Sequence, residues 1–290
     1  MQANPKFQNK SSSFWAYAKL LSEKLGYSKS GSIIFHSKDK AIDALKKLEI
    51  QIEEDLLDDA LEYLEYRAHL LNSVKDNFMN ASEAKALFEN YKDIHTSNNF
   101  TSNFPLNKQS NEKKDHAFFT CIINTLTEKT IRDFASENNL IYGEDIGFND
   151  DPRSLSYVLS EDKKLEGIFS RRFDGAFPDV NNAHLIWEIK EYYYTTSFGS
   201  RISDGVYETQ LDGFEAKQIR EDTGVNIKHV YMIDSYRVWW DDGKSYLCRI
   251  VDMMHMGLAD EVLLGREVVD RWPLILKDTL KYYKHNFLND

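Results

Sequence analysis

One stretch constrains this chain more than any other: RRFDGAFPDVNNAHLIWEIKEYY, residues 171–193. A strand turns successive side chains to opposite faces. In its second half, Leu185, Trp187 and Ile189 point one way, and Glu188 and Lys190 the other. In the first half, Phe169, Phe173 and Phe177 are predicted to share a face, with Asp174 opposite them. Asp179, Asn181 and Asn182 supply turn residues. A hairpin folded about Asn181 sets Asp174 across from Glu188, with Cβ atoms roughly 5 Å apart. Two carboxylates at that spacing repel unless a cation lies between them. Lys190, two residues along the same face, completes a site for a divalent metal, a phosphate and an activated water.

This pattern resembles the PD-(D/E)xK nuclease superfamily, with its restriction-endonuclease-like fold. The resemblance rests on Asp174, Glu188 and Lys190 and covers about residues 112–235. The triplet alone is weak, because acidic-x-Lys also begins at Glu83, Glu112, Glu161, Asp162, Glu215 and Asp242. Glu83 and Glu215 read as helical, Asp242 as a turn, and Glu161 and Asp162 as a polar loop. Glu188 alone sits in an apolar, β-prone run with an acid on the preceding strand. The bland alternative is a surface hairpin carrying an ordinary salt bridge.

Organisation along the chain strengthens the resemblance. Residues 14–26 show helical spacing, and a β-prone piece follows at Ile33–Phe35. One long helix is predicted over about 40–71 and another over 81–91. Residues 95–111, rich in Asn, Ser and Thr, read as a linker. The spacing then predicts a helix over 112–137, a short strand at 140–144, an irregular stretch at 148–165 and hairpin strands near 167–177 and 184–194. A loop over 195–205, a helix ending near Gly224, a strand at 226–234, a hairpin over 236–251 and a C-terminal helix broken at Pro273 complete the reading. The expected fold class is mixed α/β (α+β): an αβββαβ core with a mixed central sheet. The predicted divisions are a helical region (1–94), a linker (95–111) and a nuclease domain (112–290).

Composition sets limits. The 290 residues are 42% hydrophobic and 13% aromatic, which suits a globular chain. No apolar run reaches membrane-span length, and the polar N-terminus lacks a signal peptide's apolar stretch. Cys121 and Cys248 read as reduced core thiols of a cytoplasmic protein. No Cys/His spacing suggests zinc, and no GxxxxGK[ST] suggests a nucleotide cofactor. The net charge of −11 does not exclude nucleic acid, because only one face need be basic. Residues 1–47 hold nine lysines against three acids, whereas 48–94 hold twelve acids against four basic residues. Lys38 and Lys40, in the basic segment, are candidate DNA contacts; a solvated basic face explains them equally well.

The resemblance implies specific roles. Asp174, Glu188 and the Ile189 carbonyl would hold Mg²⁺, and Lys190 would meet the scissile phosphate and the attacking water. The literal Pro-Asp pair is Pro178-Asp179, but Asp179 falls in the turn, so Asp174 is preferred. Glu144 or Glu112 could supply a further acid, and Gln210 could face the metal from the following helix. Arg201 could contact phosphate, Lys217 reads as a surface lysine, and Tyr192, Tyr193 and Tyr194 either pack or stack on bases. The implied activity is Mg²⁺-dependent hydrolysis of double-stranded DNA leaving 5′-phosphates, in a homodimeric type II restriction endonuclease. The alternatives are a structure-specific, defence or repair nuclease, or a catalytically inactive DNA-binding relative.

Overall fold

In the computed structural model, residues 1–109, 112–194 and 200–288 are described, without the side chains of 108, 109, 112–114, 200 and 201. Helix α1 (Ser12–Leu25) is capped by the Ser11 side chain, which accepts from the Phe14 amide, and stops at Gly26. Strands β1 (Ser28–Lys29) and β2 (Ser32–Ile33) pair antiparallel before α2 (Lys38–Lys47) and α3 (Glu54–Val74). The single helix expected over 40–71 is thus two. Glu49 takes a φ of 56° at the break. Tyr17 Oη accepts from the Glu53 amide at 2.9 Å and donates to the Gln51 carbonyl at 3.3 Å. That clamp comes from another helix, so local periodicity does not reveal it. Phe14, Trp15, Leu21, Leu57 and Tyr63 form a small core among these helices.

Asn80 and Glu83 form a capping box that starts α4 (Ala81–Ser97), which runs past the expected end at Tyr91. The stretch expected as a linker holds the end of α4, a loop and β3 (Leu106–Gln109), paired antiparallel with β4 (Glu112–His116). The Glu128 carboxylate ties the loop down by accepting from the Thr101 and Ser102 amides at 2.9 and 2.7 Å. The helix expected from Glu112 therefore begins after β4, as α5 (Phe118–Glu137). The strand expected at 140–144 is a turn closed by a Tyr142–Ile146 bridge. Strands β5 (Tyr157–Leu159) and β6 (Leu165–Ile168) form a separate antiparallel pair, placing one strand inside the stretch expected to be irregular.

The main sheet contains β7 (Gly175–Phe177), β8 (Leu185–Glu191), β9 (Lys228–Asp234) and β10 (Glu261–Leu264), in the order β10-β9-β8-β7. β7 runs antiparallel to β8, while β8, β9 and β10 are parallel, so the sheet is mixed. Helix α6 (Ser200–Thr223) follows β8; its first turns occupy part of the expected 195–205 loop, and residues 195–199 lie outside the described residues. The hairpin expected over 236–251 is a π-helical turn, Tyr236–Asp242, followed by α7 (Lys244–His255). Trp239, Trp240, Leu247, Cys248 and Val251 are all buried, and an apolar run without alternation does not distinguish strand from helix. The EVLL run expected in the last helix is β10, a short strand buried throughout. Helix α8 (Glu267–Phe287) continues through Pro273, where a break was expected.

Helices cover both faces of the sheet. Leu185, Trp187, Ile189, Val230, Met232 and Leu263 pack with residues of α4, α5 and α8. On the other face, Tyr231, Ile233 and Val262 pack with α6 and α7, while Ile186 meets Ala216 and Ile219 of α6. Phe169 and Phe173 join Ile186 on that second face, whereas Phe177 lies with Trp187 on the first. The three phenylalanines do not share a face because Phe169 and Phe173 lie in the connection between β6, which belongs to the separate pair, and β7, where the chain enters the main sheet. Cys121 and Cys248 are free and buried, and no helix among the described residues is long and apolar enough to cross a membrane.

Candidate functional site

Gly175 determines how Asp174 enters the sheet. A Cβ at residue 175 would lie 2.0 Å from the Trp187 ring, so only glycine lets β7 cross that indole. Gly175 pairs with Trp187, Ala176 with Ile186 and Phe177 with Leu185. Continued by one residue, this register sets Asp174 opposite Glu188. The Asp174 amide donates to the Trp187 carbonyl at 3.1 Å, and Asp174 Oδ2 accepts from the Ile189 amide at 2.7 Å.

Glu188 is 2% exposed, yet carries two cations on one oxygen. Its Oε1 accepts from Arg171 Nη2 at 2.6 Å and from Lys190 Nζ. Lys190 Nζ also donates to Glu208 Oε2 at 3.1 Å, and Arg171 Nη1 donates to Asp212 Oδ2 at 2.7 Å. Glu208 and Asp212, one helical turn apart on α6, thereby close the site from above the sheet. Gly205 lets that helix descend: a Cβ there would lie 3.3 Å from Tyr192 Oη and 3.4 Å from Lys190 Cε.

Burial, and then the Glu188 charge, push the Asp174 carboxyl up to about 7, against the Ile189 amide, Lys190 and Arg171. Burial also drives Asp212 up to about 7; Arg171 opposes this and Glu188 adds to it. For Lys190, burial disfavours the charge, but Glu188 overcomes it and holds the ammonium above its ordinary range. The site is therefore an acidic cluster neutralised by two internal cations.

Among the described residues, no three His, Cys, Asp or Glu side chains form a metal cluster. Mg²⁺ needs only one or two carboxylates, because it retains several waters. Glu188 Oε2 and Asp212 Oδ1 are buried without a hydrogen-bond partner. The orphaned Glu188 oxygen, across the sheet from Asp174, makes with it a pair of hard-oxygen donors of the kind Mg²⁺ takes, so the chemistry fits.

Other expected site residues lie elsewhere. Glu144 is exposed in the turn after α5. Gln210 lines a different cavity of about 400 Å³, with Tyr27, Tyr207 and Arg249. It lies on another face of α6 from Glu208 and Asp212, so they, not Gln210, meet the site. The side chains of Arg201, on α6, and Glu112, on β4, lie outside the described residues. Asp179 is exposed and accepts from Asn149 Nδ2 at 2.7 Å. Lys38 is held 2.8 Å from both Glu54 and Asp58, and Lys40 is exposed on α2. Lys217 is a surface lysine near Glu221. Tyr192 packs against Trp239 and Tyr194 against Phe118, while Tyr193 Oη donates to Asp234.

Asp234 gives a pH prediction that does not depend on the site. Burial pushes its carboxyl up to about 7, against bonds from Tyr193 and the Met79 and Ser235 amides. The folded state therefore holds this proton more tightly than the unfolded chain, whose carboxyl titrates near 3.9. Its contribution to stability is full below about pH 4 and declines as pH rises toward 7. In EDTA, the melting temperature of Asp234→Asn is expected to fall less between pH 5 and pH 8 than that of the wild type. Equal slopes would remove Asp234 from the account.

Arg171, Glu208 and Asp212 were not anticipated from sequence. The one available signal was the i, i+4 acid pair on the helix after β8. Comparison with known proteins gives no chemistry. No curated protein and no solved structure matches the chain. Residues 1–74 match a family model described as a domain of unknown function (DUF7690). Residues 79–279 match a second, also described as a domain of unknown function, and since that match spans more than half of the sequence, the chain belongs to the DUF7687 family.

Proposed function

We propose that the chain is a Mg²⁺-dependent endonuclease of the PD-(D/E)xK type, hydrolysing DNA phosphodiester bonds. The observation that carries this reading is Asp174 opposite Glu188, with Lys190 on the same face and α6 closing over them. A helix before two adjacent antiparallel strands, and a helix leading to a parallel third, support a restriction-endonuclease-like core.

Asp174, Glu188 and the Ile189 carbonyl would hold the ion. When bound, Mg²⁺ would supply charge neutralisation at the phosphate and a more acidic water. Lys190 stays protonated at neutral pH, so its Nζ acts as a cation towards phosphate oxygens and not as a proton acceptor. Asp174 exchanges its proton near neutral pH, so holding a cation there means giving that proton up. Arg171 keeps Glu188 and Asp212 apart in charge terms and fixes their orientation. We take double-stranded DNA as the substrate, cut to leave 5′-phosphates, and a homodimeric cytoplasmic restriction enzyme as the setting.

Digestion of plasmid and phage DNA with Mg²⁺, and with EDTA as control, tests the reading. Discrete Mg²⁺-dependent fragments are the expected result. A Mg²⁺-dependent smear would keep the nuclease and discard sequence specificity. Intact DNA across unmodified, methylated and single-stranded substrates would overturn catalysis.

A further inference from the structure

Asp174 lies where two cavities meet. One is a cleft of about 910 Å³ whose lining includes Leu155, Ile168, Arg171 and Arg172. The other, of about 500 Å³, extends towards Phe104 and Leu106 and shares Asp151, Pro152, Arg153, Phe173 and Asp174 with the first. The larger cleft combines an apolar wall with cationic side chains. Its wall leaves Ile168 49% and Leu155 37% exposed, an aliphatic strip beside the half-buried Tyr157. Its cations are unequal: Arg171 is held by Glu188 and Asp212, and Arg153 lies 2.7 Å from Asp151. Arg172 is exposed and has no ion-pair partner among the described residues.

We infer that this cleft receives an unpaired nucleotide of the substrate strand, with its base against Leu155 and Ile168 and its phosphate at Arg172. This rests on the nuclease reading above and names what the site takes. A regular duplex presents phosphates and sugars at its surface and would leave the aliphatic strip in water. A base outside its stack has a face that can cover the strip, while a phosphate on the same strand reaches the free guanidinium. Asp174, which lines the same cleft, then lies beside the adjoining linkage. The unpaired nucleotide has two sources, extrusion from a duplex or a single-stranded segment, and the chemistry of binding is common to both.

The test measures binding by the full-length protein, with Ca²⁺ replacing Mg²⁺ so that cutting does not intervene. The probes are a duplex containing 2-aminopurine, the same duplex with a one-nucleotide bulge, and the single strand. Wild type is expected to bind the bulged or single-stranded probe at least about tenfold more tightly than the plain duplex, since the cost of unpairing is already met. Ile168→Asp and Leu155→Asp should each remove most of that preference. Both positions are exposed, and matching melting curves would show the variants folded. A rise in 2-aminopurine emission on the plain duplex assigns extrusion; tight single-strand binding without it assigns a single-stranded source. Equal binding of all probes, or a preference unchanged in both variants, overturns the inference. If wild type cleaves DNA but shows no preference, only the cleft assignment fails. If it neither binds nor cleaves any probe, the nuclease reading fails with it.

Discussion

Lys190→Met should lower Mg²⁺-dependent cleavage by about 10²–10³-fold while leaving the fold intact, the usual loss for one preorganised charge at a reacting centre. Methionine retains the stem that packs under Gly205 and loses only the ammonium. Without it, Glu188 keeps Arg171 as its sole cation and Glu208 loses its 3.1 Å partner. The wild-type Lys190 side chain is 14% exposed, and its ammonium is held charged by Glu188. Single-turnover cleavage gives the rate, and DNA binding in Ca²⁺ separates lost chemistry from lost affinity. Unchanged cleavage would move the reacting centre away from β8.

Arg67→Ala should destabilise the protein by about 3–5 kcal/mol, because it leaves a buried carboxylate without its counter-charge. Arg67 and Asp252 are 1% and 3% exposed. Arg67 Nη1 donates to both Asp252 oxygens at 2.9 Å, Tyr63 Oη donates to Oδ1 at 2.6 Å, and Arg67 Nη2 donates to Ser22 Oγ at 2.8 Å. This network joins α3 to α7, that is, the segment matching the first family model to the segment matching the second. Its loss should lower the melting temperature by on the order of 10 °C in a chain of this size. Replacing both partners, as Arg67→Met with Asp252→Leu, should recover much of the loss, since no charge then remains buried and unpaired. Thermal and urea unfolding of the three proteins would check this; a single variant no less stable than the double one would show that the pair does not hold the two parts together.

The parts of the fold carried by local pattern were legible in the sequence. Alternation in LIWEIK and the Asp/Asn turn were enough to place β7 against β8 in the observed register, with Trp187 inward and Glu188 on the opposite face. Helical spacing located α1 to within two residues at each end, whereas α4 runs six residues past its expected end and α5 starts six residues after its expected start. Other parts depended on contacts between distant segments. Tyr17 breaks the helix at 48–53, and Glu128 pins the loop at Thr101 and Ser102. Trp239, Trp240 and Val251 suit a strand by propensity, but burial on every side is equally served by helix, and tertiary packing chose helix. At the site, Asp174, Glu188 and Lys190 were visible because two strands bring them together. Arg171 lies in the connection before β7, outside the sheet, and Glu208 and Asp212 reach it across the α6–β8 packing. A sequence period does not report that meeting.

The most direct test of the account is nicking and linearisation of supercoiled plasmid in Mg²⁺ by wild type and Glu188→Gln, with melting curves for both. Wild type is expected to cut and leave 5′-phosphate ends, while the folded variant is inactive. A folded Glu188→Gln protein that cuts as wild type does would contradict it.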